Sequence, residues 1–538
     1  MNTESLKPTA PAPASKAPIQ PSTNPYVGVF GVFLGASIAT MNSRLLSVGL
    51  ADLRGALGFS FDDASWLPTA LNMAMMFSGV FCVFVSARIG PRRVLLFSAL
   101  VFTLTCILLP FSPNFWVMLA LEALAGLASG TFYSLTMTFV LTSLPKRLII
   151  FGIAAYAADI IFTSNVAAAL QGWYADHLSW HWIFWHAAVF TPLMMICVHF
   201  GIPRRSPPAG PAPSWVGFAY FSTSLSLLYG ALDQGERLDW FHSGVIAAMS
   251  AAGLFLLAAT CVRRMLQPNP LVDLSFVNSR NLIVLGISIF VFKFVHLASI
   301  ILIPGFLGNV QRYRAVETGH ALAWVAVPQF AVVWLVAAAI IFTNSRVILA
   351  VSLTIVAMAS LICAHLDPSW AGPSFETLEL VMALGLAGAY VGLVSSIVLV
   401  GLEKGALKSA AAAATLSGFM HTFRILGGQV GVSIMNRFLT VREEFHSNML
   451  GLHVQVGDWL TDERLHLISL GMLPRSSGVD EAQARAGALL SQQVHAQAYT
   501  LAVADGFVLI TGVAAAFLLL MLLMNPVKVS YQDLRRMP

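Results

Sequence analysis

Charged side chains are scarce in this chain. Asp, Glu, Lys and Arg make up 10% of the 538 residues, against ~25% in a typical soluble domain. Hydrophobic residues reach 57% and the mean hydropathy is +0.77, which excludes a fold in water, because no aqueous interior hides that much apolar side chain. Cysteine is also rare. The five, at positions 82, 106, 197, 261 and 363, are odd in number and lack metal-ligand spacing, so neither a disulfide framework nor a metal site is expected. No Gly-x-x-x-x-Gly-Lys-Ser/Thr loop occurs, which removes ATP-driven pumping. His177 and His181 are four residues apart but have no carboxylate where a zinc enzyme needs one, and they sit in an aromatic belt with Trp173, Trp180, Trp182 and Trp185. No nucleophile stands beside a base, so an enzyme is not expected, nor is a cofactor. The net charge of +5 is spread over short gaps between apolar runs, and nucleic-acid binding needs a clustered basic face.

What the chain has is long apolar runs. A membrane-crossing helix needs ~20 mostly apolar residues. Fourteen such stretches occur: 26–46, 64–86, 93–111, 115–143, 147–172, 181–202, 215–232, 244–264, 282–307, 319–342, 346–366, 376–402, 411–436 and 500–524. They do not alternate polar and apolar residues as barrel strands do, so the fold class is an all-α polytopic membrane protein. Of the 30 Lys and Arg residues, 18 fall on the side of the two termini and four (Arg54, Arg237, Arg312, Arg314) in short loops opposite. The excess of basic residues in cytoplasmic loops puts both termini in the cytoplasm.

The spacing divides the chain. Residues 1–25, without an apolar core for a signal peptide, read as a disordered cytoplasmic tail. Six spans occupy 26–202, a linker with two extra spans 203–281, and six more spans 282–524. This last part includes a periplasmic segment, 437–498, too long for a passive connection. Residues 525–538 form a second cytoplasmic tail. Two halves of six suggest a transporter built from repeats. Gly126–Gly130 and Gly388–Gly392 are small-xxx-small patterns that let helices approach closely.

Several motifs are more specific. Leu232–Ser243 reads LDQGERLDWFHS, and Pro270–Leu274 leads through Ser279 and Arg280 to Asn281. Ser179–Phe184 reads SWHWIF, Phe423–Gly428 reads FRILGG, and Ala504–Phe507 reads ADGF. With these motifs the chain resembles the major facilitator superfamily, in its fourteen-span drug:proton antiporter branch, from Gly28 to Met524. The resemblance implies two six-helix bundles plus two linker helices and proton-coupled efflux by alternating access. Arg88, Gly90, Arg92 and Arg93 match the basic part of the family's conformational loop after span two, where Ala87 stands in place of its Asp. The Gly-Pro and Gly-Gly of span five are reduced to Gly172. Span one has Asn42 where the family has Asp, and span four has Glu122 where it has Arg.

Charges inside spans cost at least ~2.5 kcal/mol each at mid-helix. Six occur: Arg44, Glu122, Asp159, Lys293, Arg424 and Asp505. His296 and His421 stand three residues from Lys293 and Arg424, on the same helix faces. Glu122, Asp159, Arg44, His296, His421 and Asp505 are therefore the proton-coupling candidates, and Lys293, Asn42 and Arg424 the cavity candidates. Arg44 and Glu122 lie at one depth and are expected to form a pair. The expected function is export of small amphipathic compounds across the inner membrane, driven by protons. The alternatives are a facilitator for one organic acid and, remotely, an intramembrane enzyme. The expected partners are the cargo, protons and lipid, with a periplasmic adaptor and outer-membrane channel docking on segment 437–498.

Overall fold

The computed structural model describes residues 24–202, 215–266, 280–368, 372–405, 410–455, 457–524 and 531–532. The tail before Asn24, the Pro-rich stretch 203–214, the lead-in motif 270–279 and most of the tail after 524 lie outside the described residues. Among the described residues there is no strand. The α-helices are α1 (Pro25–Val48), α2 (Leu50–Leu57), α3 (Phe61–Ile89), α4 (Pro91–Leu108), α5 (Phe115–Ser143), α6 (Ile149–His177), α7 (Trp182–Gly201) and α8 (Trp215–Gly235). They continue as α9 (Gly244–Leu266), α10 (Arg280–Asn309), α11 (Ala315–Phe342), α12 (Ser345–Cys363), α13 (Gly372–Glu403), α14 (Ala410–Gly451), α15 (Trp459–Met472) and α16 (Val479–Leu522).

Twelve of these, by length and composition, can cross a membrane. The two remaining expected spans coincide with α8, rich in Ser, and with the first part of α14, which carries Arg424. Polar side chains start many of the helices by accepting from backbone N–H groups otherwise left without partners. Asn24 caps α1, Ser60 caps α3, Asn114 caps α5 and Asn344 caps α12. The basic turn between α3 and α4 rests on Gly90, whose φ of 95° suits a residue without a Cβ.

Small residues set the packing. A Cβ on Gly126 would come 2.2 Å from the Leu71 carbonyl oxygen, and one on Gly130 would come 2.4 Å from that of Met75. The first small-xxx-small pattern is thus the seam between α5 and α3, and a larger residue at either position would drive the two helices apart. One buried cluster draws only on residues between Val32 and Ile202. Another joins Ala36 and the inner sides of α5 and α6 to α10–α14 and α16. The opposite faces carry exposed Phe97, Trp116, Phe255 and Leu519, as a surface against lipid requires.

At 42 and 44 residues, α14 and α16 are each ~65 Å long at ~1.5 Å per residue, about twice a ~30 Å hydrocarbon layer. The segment 437–498 is therefore continuous with the bundle. It consists of the end of α14, all of α15 and the first part of α16.

Candidate functional site

Where the two parts of the chain face each other, five helices bring tyrosines and charges together. Tyr133 of α5 lies 5.2 Å from Tyr156 of α6, which lies 6.5 Å from Tyr390 of α13 (ring centroids). The Arg424 guanidinium of α14 sits 3.8 Å over the Tyr133 ring, and the Lys293 amine of α10 lies 5.1 Å from the Tyr390 ring centroid. Both use the negative face of an aromatic ring in place of a carboxylate. Arg424 also meets His421 Nδ1 at 3.4 Å. The Gly-Gly of the FRILGG motif explains how α14 reaches this place, since a Cβ on Gly427 would stand 2.6 Å from the Phe290 Cα of α10.

Asp159 is within electrostatic reach of Arg424, and Ser37 of α1 donates a hydrogen bond to its Oδ1. Its Oδ2 is buried and has no partner. Among the described residues no ion pair joins Asp159 to Lys293. The cluster therefore holds more basic than acidic side chains. Lys293 and His421 are almost fully buried.

Of the other candidates, Arg44 and His296 border the cluster and the rest lie apart. Arg44 has Tyr229 of α8 and Arg424 as electrostatic neighbours, whereas Glu122 lies near Cys106 of α4 with both carboxylate oxygens unpartnered. The expected Arg44–Glu122 pair is not formed. Arg44 has its charged and ionisable neighbours on α8, α10 and α14, while Glu122 lies near α4. Asn42 is 1% exposed with no partner for its amide. Asp505 takes hydrogen bonds from Arg442 Nε at 2.6 Å and pairs with His446 Nε2 at 2.7 Å. In the basic turn, Arg92 Nη2 donates to the His199 carbonyl oxygen at 2.6 Å and Arg88 lies 5.2 Å from the Phe84 ring centroid. Arg93 lies beside a cleft between α3, α4 and α5. His177 and His181 stack on Trp173 and Trp180 at 5.4 and 4.1 Å, as the aromatic belt suggests.

Contacts across the seam were not legible in sequence. Asn165 Nδ2 of α6 donates to Gln329 Oε1 of α11 at 2.5 Å, and Ser417 Oγ of α14 donates to the Ser134 carbonyl oxygen of α5 at 2.5 Å. Gln429 of α14 reaches the hairpin between α8 and α9 by donating to Asp233 Oδ1 at 2.8 Å. The amides and hydroxyls responsible are common in helices and have no spacing that marks them. Only the carboxylate of Asp233, held in a motif, was visible beforehand.

The profile described as the Major Facilitator Superfamily matches residues 32–432. The chain is 24% identical to the "Multidrug export protein EmrB" of Haemophilus influenzae, over 87% of this chain and 90% of that one. It is 23% identical to the "Fatty acid resistance protein FarB" of Neisseria gonorrhoeae, over 78% and 82%. The fold resembles that of the human organic anion transporter MFSD10 (TETRAN), with a TM-score of 0.53 at 14% identity, covering 92% of this chain and all of that one. With its many apolar helices, the chain is a multi-pass membrane protein and belongs to the Major Facilitator Superfamily.

Proposed function

We propose that this protein is a proton-driven exporter of small amphipathic compounds, working by alternating access between bundles 26–202 and 282–524. The observation that carries the reading is the buried cluster of Asp159, Arg424, Lys293 and three tyrosines, built by helices from both bundles. A carboxyl group in a buried seam, with one oxygen unpartnered, is a group whose protonation changes how tightly the bundles hold together. The relatives named for multidrug export and fatty-acid resistance support efflux. In this reading fourteen helices cross the inner membrane and both termini are cytoplasmic, in keeping with the distribution of Lys and Arg.

The cargo we favour is an amphipathic acid. Lys293 and Arg424 rest on tyrosine rings with Asp159, near Arg424, as the cluster's one carboxyl group, so an anionic headgroup would supply the missing charge. The relative named for fatty-acid resistance points the same way. Segment 437–498 is our candidate for docking a periplasmic adaptor that leads to an outer-membrane channel. Exposed Val441, Phe445 and Met449 form an apolar stripe along α14 there, with exposed Leu452 just past its end. We assign Asp505 to holding this segment.

The test uses the full chain in proteoliposomes with dansyl-undecanoic acid as the probe. A pH gradient should drive its transport, an uncoupler should stop it, and Asp159→Asn should lower the driven rate by roughly a hundredfold. Transport by the unaltered chain that ignores the uncoupler overturns the reading in favour of a facilitator.

A further inference from the structure

A cavity of about 60 Å³ lies between α6, α10, α11 and α13, next to the tyrosine cluster, since Phe292 stacks on both His296 and Tyr390. Its polar lining is Asn165, His296, Ser299, Gln329 and Glu379. Asn165, Gln329 and Ser299 are engaged with their neighbours. Asn165 and Gln329 bond to each other, Gln329 also donates to the Ala383 carbonyl oxygen at 2.8 Å, and Ser299 Oγ donates to the His296 carbonyl oxygen at 2.8 Å. His296 differs. Its side chain is 6% exposed, and neither ring nitrogen has a partner. Leaving buried polar groups unmet costs ~1–3 kcal/mol each, and the ring is held in place by stacking on Phe292 at 5.9 Å. A water needs ~10–15 Å³ of such space, so the cavity has room for the few waters that would link an imidazole to a carboxyl group across it.

Glu379 is 4% exposed. It lies seven residues into α13 from Gly372, roughly 10 Å along the helix. His296 lies thirteen residues before the end of α10 at Asn309, roughly 20 Å from that same face. Glu379 is thus the shallower of the two, on the face opposite the termini. Lys293 on its own helix and Arg44 from α1 are the charged groups that act on His296 besides, while Cys363 of α12 is the titratable neighbour of Glu379.

We propose that Glu379, the water-sized cavity and His296 form the proton-uptake branch of the transporter. Glu379 takes a proton from the periplasmic face and passes it through water to the free imidazole nitrogen. His296 becomes an imidazolium, Glu379 returns to a carboxylate, and the imidazolium gives up its proton toward the Asp159 cluster when the bundles rearrange. Glu379 was absent from the sequence candidates because it stands near the end of its span, where a carboxylate usually meets water. Its burial singles it out. This inference rests on the proton-driven reading above.

The test compares two modes in proteoliposomes holding the full chain. Driven uptake of dansyl-undecanoic acid under a pH gradient needs proton uptake, whereas exchange of internal for external probe at equal pH does not. Glu379→Gln and His296→Gln should each lower driven uptake by roughly a hundredfold and leave exchange at the rate of the unaltered chain. The double variant should be no worse than either single one, since both act in one path. Glu379→Asp, which keeps the carboxyl group, should retain driven uptake. Unchanged driven uptake in Glu379→Gln overturns the branch, and so does equal loss of both modes with no rescue by Glu379→Asp. If the unaltered chain shows no dependence on the gradient, the proton-driven reading itself falls, which is a separate outcome.

Discussion

The carboxylate of Asp233, at the end of α8, receives the Gln429 amide of α14 at 2.8 Å on one oxygen and the Thr69 hydroxyl of α3 on the other. Around it, Gln234 Nε2 donates to the Ser65 carbonyl oxygen at 3.0 Å, Arg237 pairs with Asp62 at 2.5 Å, and Ser433 Oγ donates to the Leu232 carbonyl oxygen at 2.5 Å. The hairpin that joins the two extra helices is therefore fastened to α3 on one side and to α14 on the other. The extra helices do more than lengthen the linker, because they clamp the seam on the face opposite the termini.

Breaking the clamp should favour opening on that face. Asp233→Ala removes an ionised acceptor from two donors, worth ~1.5–3 kcal/mol, or about a tenfold to hundredfold shift toward the open arrangement. Asp233→Asn, which keeps one acceptor oxygen, should shift it less. Spin labels at the ends of α3 and α14 would report the longer distance by electron–electron resonance. A distance distribution unaltered in Asp233→Ala means that the hairpin does not restrain the seam.

The cluster around Lys293 carries the second expectation, on cargo charge. Lys293→Met keeps most of the stem and removes the amine from above the Tyr390 ring. Driven uptake of dansyl-undecanoic acid should fall by about tenfold, the loss of ~1.4 kcal/mol of interaction, while uptake of uncharged Nile red stays the same. An equal fall for both probes shows that Lys293 holds the helices and does not select the cargo.

Much of this architecture could be read from the residues, and the reasons for the gaps are physical. Apolar length finds spans because the bilayer fixes how long a helix must be. It also finds depth, since counting residues from the span ends puts Asp159, Lys293 and Arg424 near the membrane centre, and the structure gathers them at the tyrosines. Depth says nothing about direction around a helix axis. Arg44 and Glu122 illustrate this, being expected at one depth and yet having different neighbours, on α8, α10 and α14 for the first and on α4 for the second. Hydropathy is equally silent about where a helix ends once it leaves the apolar layer. The polarity changes near 436 and 500, but backbone hydrogen bonding continues through both places, and α14 and α16 run on as single helices.

That continuity makes the join between α14 and α16 the place where the outer segment is held, and Asp505 is its centre. Arg442 approaches Asp505 Oδ2 at 2.5 Å through Nη2 and His446 approaches it at 2.7 Å, with the three side chains between 15% and 33% exposed. Because the group is partly exposed, solvent screening reduces what the pairing contributes, and Asp505→Asn should cost ~1 kcal/mol locally. The effect should be confined to the outer part. Hydrogen exchange should quicken by about fivefold in 440–451 and 485–499 as local opening becomes easier, with α10 and α13 unchanged. Crosslinking of an adaptor to this segment should weaken in parallel if the segment docks one. Exchange in both stretches at the rate of the unaltered chain would show that helix packing alone holds the outer segment, and that Asp505 is available for the proton-coupling role its place in the sequence first suggested.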